Sequence, residues 1–189
     1  MRKIKHVSVI GSGIMGSRIA CHFANIGVKV LLLDICPSQL LDSEKEKGLT
    51  LKDTVVKNRV VKTSFFNTLK TKPSSLYLKE NKENIQLGNL EDDINKIKES
   101  DWIIEVVVEK IEIKEKVFDL VDKNRTKGTL ITSNTSGIPV EEMVKGREKD
   151  FVENFCVTHF FNPPRYMKLL EIVPGKETNE EVTSFLMKY

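Results

Sequence analysis

His159 and Glu171 are the two residues of this 189-residue chain whose types and spacing are best suited to moving a proton. Apolar runs, Phe155 to Phe161 and Leu169 to Val173, flank a turn containing Pro163-Pro164, and the interval is too short for the crossover that parallel neighbours need. The runs are therefore expected to pair antiparallel. With His159 opposite Glu171, the Cβ atoms would lie roughly 5 Å apart. The carboxylate could then accept from one ring nitrogen while the other takes a substrate proton. A structural His-Glu bridge at a strand end would read the same way, so the rest of the chain has to weigh the two.

A base needs something to act with, and the N-terminal segment supplies a candidate. Val7-Ser8-Val9-Ile10 reads as a buried strand, followed at once by Gly11-Ser12-Gly13-Ile14-Met15-Gly16 and a helix running to Ile26-Gly27. That is the context of a dinucleotide fingerprint: Gly11 for the tight turn, Gly13 for close approach of backbone to a pyrophosphate, and Gly16 for helix-strand packing. The unpaired N–H groups of the helix start would face the anion. The next apolar run, Val28 to Leu33, ends in Asp34, where an acid would hold the adenosine ribose. A carboxylate there repels the extra phosphate of NADP, and Ile35-Cys36-Pro37 contains no Arg to compensate, so the reading is NAD. The competing role for Asp34 is to cap a helix after Pro37.

Further elements must position these groups. Ile85-Gln86-Leu87 reads as a short strand, Asn89 as the cap of an acidic helix from Leu90 to Glu99, and Trp102 to Val108 as a strong strand. Ile113, Val117, Leu120 and Val121 recur at helical spacing, Thr129 to Thr132 returns to strand, and Pro139 to Val144 suits a short helix. A helix is also expected from about Asn179. Strands alternating with helices give an α/β fold, a doubly wound and mostly parallel sheet that closes with an antiparallel pair.

Composition sets bounds. The chain is long enough to bury one sizeable core, with 40% hydrophobic residues and a net charge of only +3. No apolar run reaches membrane-spanning length, and Met1 to Lys5 leads directly into the first strand, so a cytoplasmic protein is expected. Cys21, Cys36 and Cys156 have neither CxxC spacing nor an even count, so neither a disulfide framework nor a metal site is expected.

The segment Leu49 to Lys82 exceeds a minimal βαβ unit. It reads as a helical insertion after the second strand, with Leu51, Val55, Val56, Val60, Phe65, Phe66 and Leu69 spaced like one long amphipathic helix. Between Lys52 and Lys82 eight basic residues face two acidic ones, a local balance of +6. Such a run is either a solvated face or an anion site. Aromatic interleaving is too sparse for nucleic acid. A phosphate-bearing substrate such as coenzyme A suits it better.

Together, the glycine motif, Glu105-Val106-Val107-Val108-Glu109, Ser133-Asn134-Thr135-Ser136-Gly137 and the His159 to Glu171 segment resemble the NAD-binding domain of L-3-hydroxyacyl-CoA dehydrogenases. The match covers nearly the whole chain. Lys72-Pro73-Ser74-Ser75-Leu76-Tyr77 and the stretch from His159 through Pro163-Pro164-Arg165-Tyr166-Met167 to Ile172 resemble in particular the long fused dehydrogenase and enoyl-CoA hydratase proteins of bacterial fatty-acid β-oxidation.

The resemblance implies a Rossmann-type fold and roles residue by residue. His159 would be the general base, Glu171 its orienter, and Ser136 a bond to substrate and cofactor near the reacting carbon. Glu109 and Asn162 would contact the nicotinamide half of NAD, with Lys114 a further cofactor contact. Thr50 and Lys57 are the candidates for contacts to acyl-CoA. Plainer roles compete: a turn cap for Asn162, a solvated pair for Glu109 and Lys114, a helix cap for Ser136. The resemblance also implies a C-terminal helical domain beyond Tyr189, and hence a multidomain parent, able to oligomerise, with residues 1–189 as its NAD-binding part, showing little or no activity alone. Two other functions stay open: another β-hydroxyacid-type dehydrogenase, which would typically carry a Lys where His159 and Glu171 stand, and a catalytically silent NAD-binding module.

Overall fold

The computed structural model describes residues 2–189. Seven strands form one sheet: β1 (His6–Ile10), β2 (Lys29–Asp34), β3 (Ile85–Asn89), β4 (Trp102–Glu105), β5 (Leu130–Ser133), β6 (Phe155–Phe160) and β7 (Leu170–Pro174), in the order β3-β2-β1-β4-β5-β6-β7. The first six are mutually parallel, and β7 alone runs antiparallel, against β6. The order reverses between β1 and β4, so a crevice opens at their C-terminal ends, where ligands of doubly wound sheets bind.

Both faces are covered, which is why the strands read as near-continuous apolar runs. Val7, Val9, Leu32, Trp102 and Ile104 point to one side, against Ile19 and Phe23 of α1 (Ile14–Asn25), Val61 and Phe65 of α4 (Arg59–Leu69) and Val182 of α8 (Glu180–Leu186). Ile10, Leu33, Ile103 and Ile131 point to the other. There they meet Val117, Phe118 and Val121 of α5 (Ile111–Asn124), Met143 of α6 (Val140–Val144) and Phe151 of α7 (Lys149–Glu153). Asn179 caps α8 as its sequence suggests, accepting from the N–H of Glu181 at 2.9 Å.

Several elements differ from the sequence expectation, each for a local reason. The strand from Trp102 stops at Glu105, because the Glu105 carboxylate turns back to accept from the N–H of Val107 at 2.6 Å and bends the chain out of the ladder. The acidic helix after Asn89 shrinks to a turn and a 3-10 segment, Ile94–Glu99. Side chains take the backbone donors there: Asn89 accepts from Glu91 and Asp92, and Asp93 from Asn89. The expected long helix of the insertion is in two pieces, α3 (Thr54–Lys57) and α4, preceded by the short α2 (Asp42–Lys45) and followed by a 3-10 segment at Lys79–Asn84. The break between α3 and α4 falls at Asn58, whose buried side chain accepts from Asn89 at 2.8 Å. In α5 the buried stripe is Lys114, Val117, Phe118 and Val121: Val117 and Val121 are buried as expected, whereas Ile113 is exposed and Lys114 and Phe118 take the places expected of Ile113 and Leu120.

Candidate active site

β6 and β7 set His159 directly opposite Glu171 in register, and His159 Nδ1 lies 2.8 Å from Glu171 Oε2. An ionised carboxylate can only accept, so this contact places the proton on Nδ1 and leaves the Nε2 lone pair free. The His159 side chain is 21% exposed against 51% for Glu171, so the ring is held at the wall of a pocket while its partner reaches water. Phe161 packs against the imidazole with ring centroids 4.6 Å apart. Asn134, in the loop after β5, accepts from the N–H of Phe160 at 2.9 Å and fixes that loop to the strand carrying the base. Ser136, Gly137, Val157, His159, Glu171 and Val173 line a shared cavity of about 180 Å³.

Across the crevice the glycine loop has a different construction at each glycine. Gly11 has φ +102°, and a Cβ there would lie 2.5 Å from the Val106 carbonyl oxygen; one at Gly16 would lie 1.8 Å from that of Gly11. At Gly13 a Cβ would meet nothing within 4 Å. That space is open to a ligand. No side chain caps the N-terminus of α1, so Ile14 and Met15 begin a helix whose first N–H groups can face an anion. Asp34 turns toward this loop and does not cap a following helix. It accepts from the N–H of Ser12 at 2.7 Å, from the Ser12 hydroxyl, and from the N–H of Ile35. An open glycine, an uncapped helix and an acid at the end of β2 fit a dinucleotide.

The nicotinamide-side candidates gather at the ends of β4, β5 and β6. Glu109 accepts from the Thr135 hydroxyl and from the N–H groups of Ser136 and Gly137 at 3.0 and 3.2 Å. Partial burial raises the Glu109 pKa, but the Thr135 bond, the Lys114 charge and the two backbone donors outweigh it and hold the carboxyl below its ordinary value. Asn162 accepts from Arg18 of α1, linking the turn after β6 to the helix behind the glycine loop.

With this geometry in hand, comparison with known proteins is informative. Residues 6–189 match the family described as "3-hydroxyacyl-CoA dehydrogenase, NAD binding domain". The chain belongs to that family. Its cofactor is NAD. A probable 3-hydroxyacyl-CoA dehydrogenase of Bacillus subtilis is 51% identical over 188 residues, covering 100% of this chain and 24% of that protein. A putative fatty acid oxidation complex trifunctional enzyme of Rickettsia felis is 40% identical, covering 98% and 24%. The solved 3-hydroxybutyryl-CoA dehydrogenase of Escherichia coli aligns with a TM-score of 0.69 at 27% identity, over 98% of this chain and 36% of that one. The chain thus spans about a quarter of the length of these two curated relatives.

Within this NAD-binding domain, three sequence expectations are revised by what the side chains touch. Lys114 is not half of a solvated pair: it is 1% exposed, and its ammonium binds both oxygens of Glu105 at 2.9 Å and Glu109 at 3.4 Å. Lys57 already carries two carboxylates, Asp92 at 2.7 Å and Glu91 at 3.2 Å, and Thr50 caps locally onto Asp53. Neither is a free anion contact. Glu105, fully buried at the end of β4, stands in the sequence only as part of a motif, although a carboxylate closing an apolar strand is a signal in itself. Thr135 likewise enters only within the Ser133-to-Gly137 motif, because a hydroxyl between those of Ser133 and Ser136 carries no spacing signal of its own. Among the described residues, no group of His, Cys, Asp and Glu side chains could hold a metal ion, and no helix is long and apolar enough to cross a membrane.

Proposed function

We propose that residues 1–189 are the cofactor-binding and base-bearing part of an enzyme that oxidises (S)-3-hydroxyacyl-CoA to 3-oxoacyl-CoA with NAD in fatty-acid β-oxidation. The observation that carries this reading is the 2.8 Å contact between His159 and Glu171 beside Ser136, facing the crevice that the glycine loop borders. His159 Nε2 takes the proton of the 3-hydroxyl, and Glu171 stabilises the imidazolium that forms. Ser136 orients the hydroxyl from the opposite wall of the pocket, while Glu109 and Asn162 hold the nicotinamide half of the cofactor. NAD, when bound, supplies the acceptor for the hydride leaving carbon 3. An intact base and orienter argue against a silent binding module, and a His-Glu pair in place of a Lys argues against the other β-hydroxyacid-type dehydrogenases.

Further domains, in a protein of the relatives' length, would complete the acyl pocket. A cytoplasmic setting suits the cysteines: Cys21 and Cys156 are free thiols whose burial pushes both pKa values up to about 12, inert groups that need no oxidising compartment.

The test is a single-turnover assay with the chain at substrate concentration, following NADH oxidation by acetoacetyl-CoA. We expect a slow reaction that His159→Ala reduces by roughly 10²–10⁴-fold, with NADH affinity unchanged. Equal rates in the two proteins would make the His159–Glu171 pair structural. In parallel, NADH should bind more tightly than NADPH, with Asp34→Ala narrowing the gap.

A further inference from the structure

Lys114 faces two carboxylates but does not divide its charge equally between them. Its ammonium is bidentate to Glu105, at 2.9 Å to each oxygen, and reaches Glu109 once, at 3.4 Å. Glu105 is fully buried, and its remaining lone pairs take the N–H of Val107 and the hydroxyl of Ser133. Without Lys114 it would be an unpaired buried carboxylate, its lost hydration offset by no counter-charge. That cost assigns the ammonium to Glu105. The Glu109 side chain, 43% exposed, keeps a carboxylate whose partners are otherwise neutral donors: the Thr135 hydroxyl and two backbone N–H groups. Two acids on one ammonium leave the cluster with one net negative charge, carried at its solvent-facing end. The acid that lines the neighbouring Ser136 cavity, Glu171, is engaged by His159.

We infer that Glu109 discriminates between the oxidation states of the cofactor, binding the cationic ring of NAD+ in preference to the neutral ring of NADH. The inference rests on the reading that Glu109 borders the nicotinamide half. The two forms differ at that end by one positive charge, so a fixed negative charge several ångströms away favours the oxidised form. A partly exposed carboxylate at such a distance, in an environment between protein and water, shifts the ratio of the two dissociation constants by about 3–10-fold. Relative to a neutral residue at this position, Glu109 would shift binding toward the form that accepts a hydride and weaken the hold on the reduced ring.

Calorimetric titration of the chain with NAD+ and with NADH tests this through the ratio Kd(NAD+)/Kd(NADH). Glu109→Gln should raise that ratio by about 3–10-fold. Thr135→Val, which removes a bond to Glu109 but leaves its charge, should move both constants together and leave the ratio in place. In the wild-type chain, raising salt from about 0.01 M to about 1 M should move the ratio toward that of Glu109→Gln. This arm decides the matter even if the variant does not fold. A ratio indifferent to Glu109→Gln, or to salt where the variant cannot be tested, overturns the inference and leaves the NAD-binding reading intact. Failure of the wild-type chain to bind either form would overturn both.

Discussion

Gly13 and Gly16 stand three residues apart and are glycine for unrelated reasons. A Cβ at Gly16 would sit 1.8 Å from the Gly11 carbonyl oxygen, so Gly16→Ala must push α1 off β1. A Cβ at Gly13 meets only open space. Gly16→Ala should therefore lower the unfolding midpoint by an overpacking cost of about 1–3 kcal/mol, while Gly13→Ala keeps its midpoint and weakens NADH binding. Thermal unfolding and NADH titration of the two proteins check this, and a Gly13→Ala protein with unaltered affinity would mean that the cofactor does not approach there. The glycines, Asp34, His159 and Glu171 were legible because each sits at a fixed offset from a strand end, where chain direction dictates what the side chain meets. Lys114 was not legible. Its burial follows from a helix phase set by Phe118, whereas a phase anchored on Ile113 points the lysine toward water.

Among the elements, the turn between β6 and β7 is tied to the insertion. Arg165 donates to the carbonyls of Ser74 and Leu76, both at 2.7 Å, and its guanidinium lies 4.3 Å from the centroid of the Tyr77 ring. The Tyr166 hydroxyl adds a bond to Ser74 at 3.1 Å. Arg165→Ala should lower stability by about 1–3 kcal/mol, as loss of charge-assisted hydrogen bonds does. Urea denaturation measures this, and an unchanged midpoint would show the contacts to be incidental. The strands and α1 could be read from apolar runs and flanking turn residues. The insertion could not. Its course depends on Asn58 meeting Asn89 and on Arg165 meeting Ser74, pairs separated by 31 and 91 positions, which no local period encodes.

On the scale of the molecule, the candidate residues stand on or just beyond the C-terminal ends of five strands adjacent in the sheet: Asp34 on β2, the glycine loop after β1, Glu109 after β4, Ser136 after β5 and His159 on β6. The charge of the insertion lies off this strip. Lys57 and Arg59 are taken up by acids, while Lys62, Lys70, Lys72, Lys79 and Lys82 make no ion pair among the described residues. Acyl-CoA binding to the chain should therefore be weak and fall steeply as ionic strength rises past the point where the Debye length drops to about 10 Å, near 0.1 M. Titration of acetoacetyl-CoA at two salt concentrations reads this directly, and salt-independent binding would place its phosphates on buried groups instead. The strip also bears on cofactor redesign. Asp34 lies at the far end from His159, so altering it need not disturb the base, yet its carboxylate holds both the N–H and the hydroxyl of Ser12. A version of this domain that accepts NADPH must therefore be engineered as a pair, with a cation to meet the added phosphate and a new acceptor to keep the glycine loop in its shape.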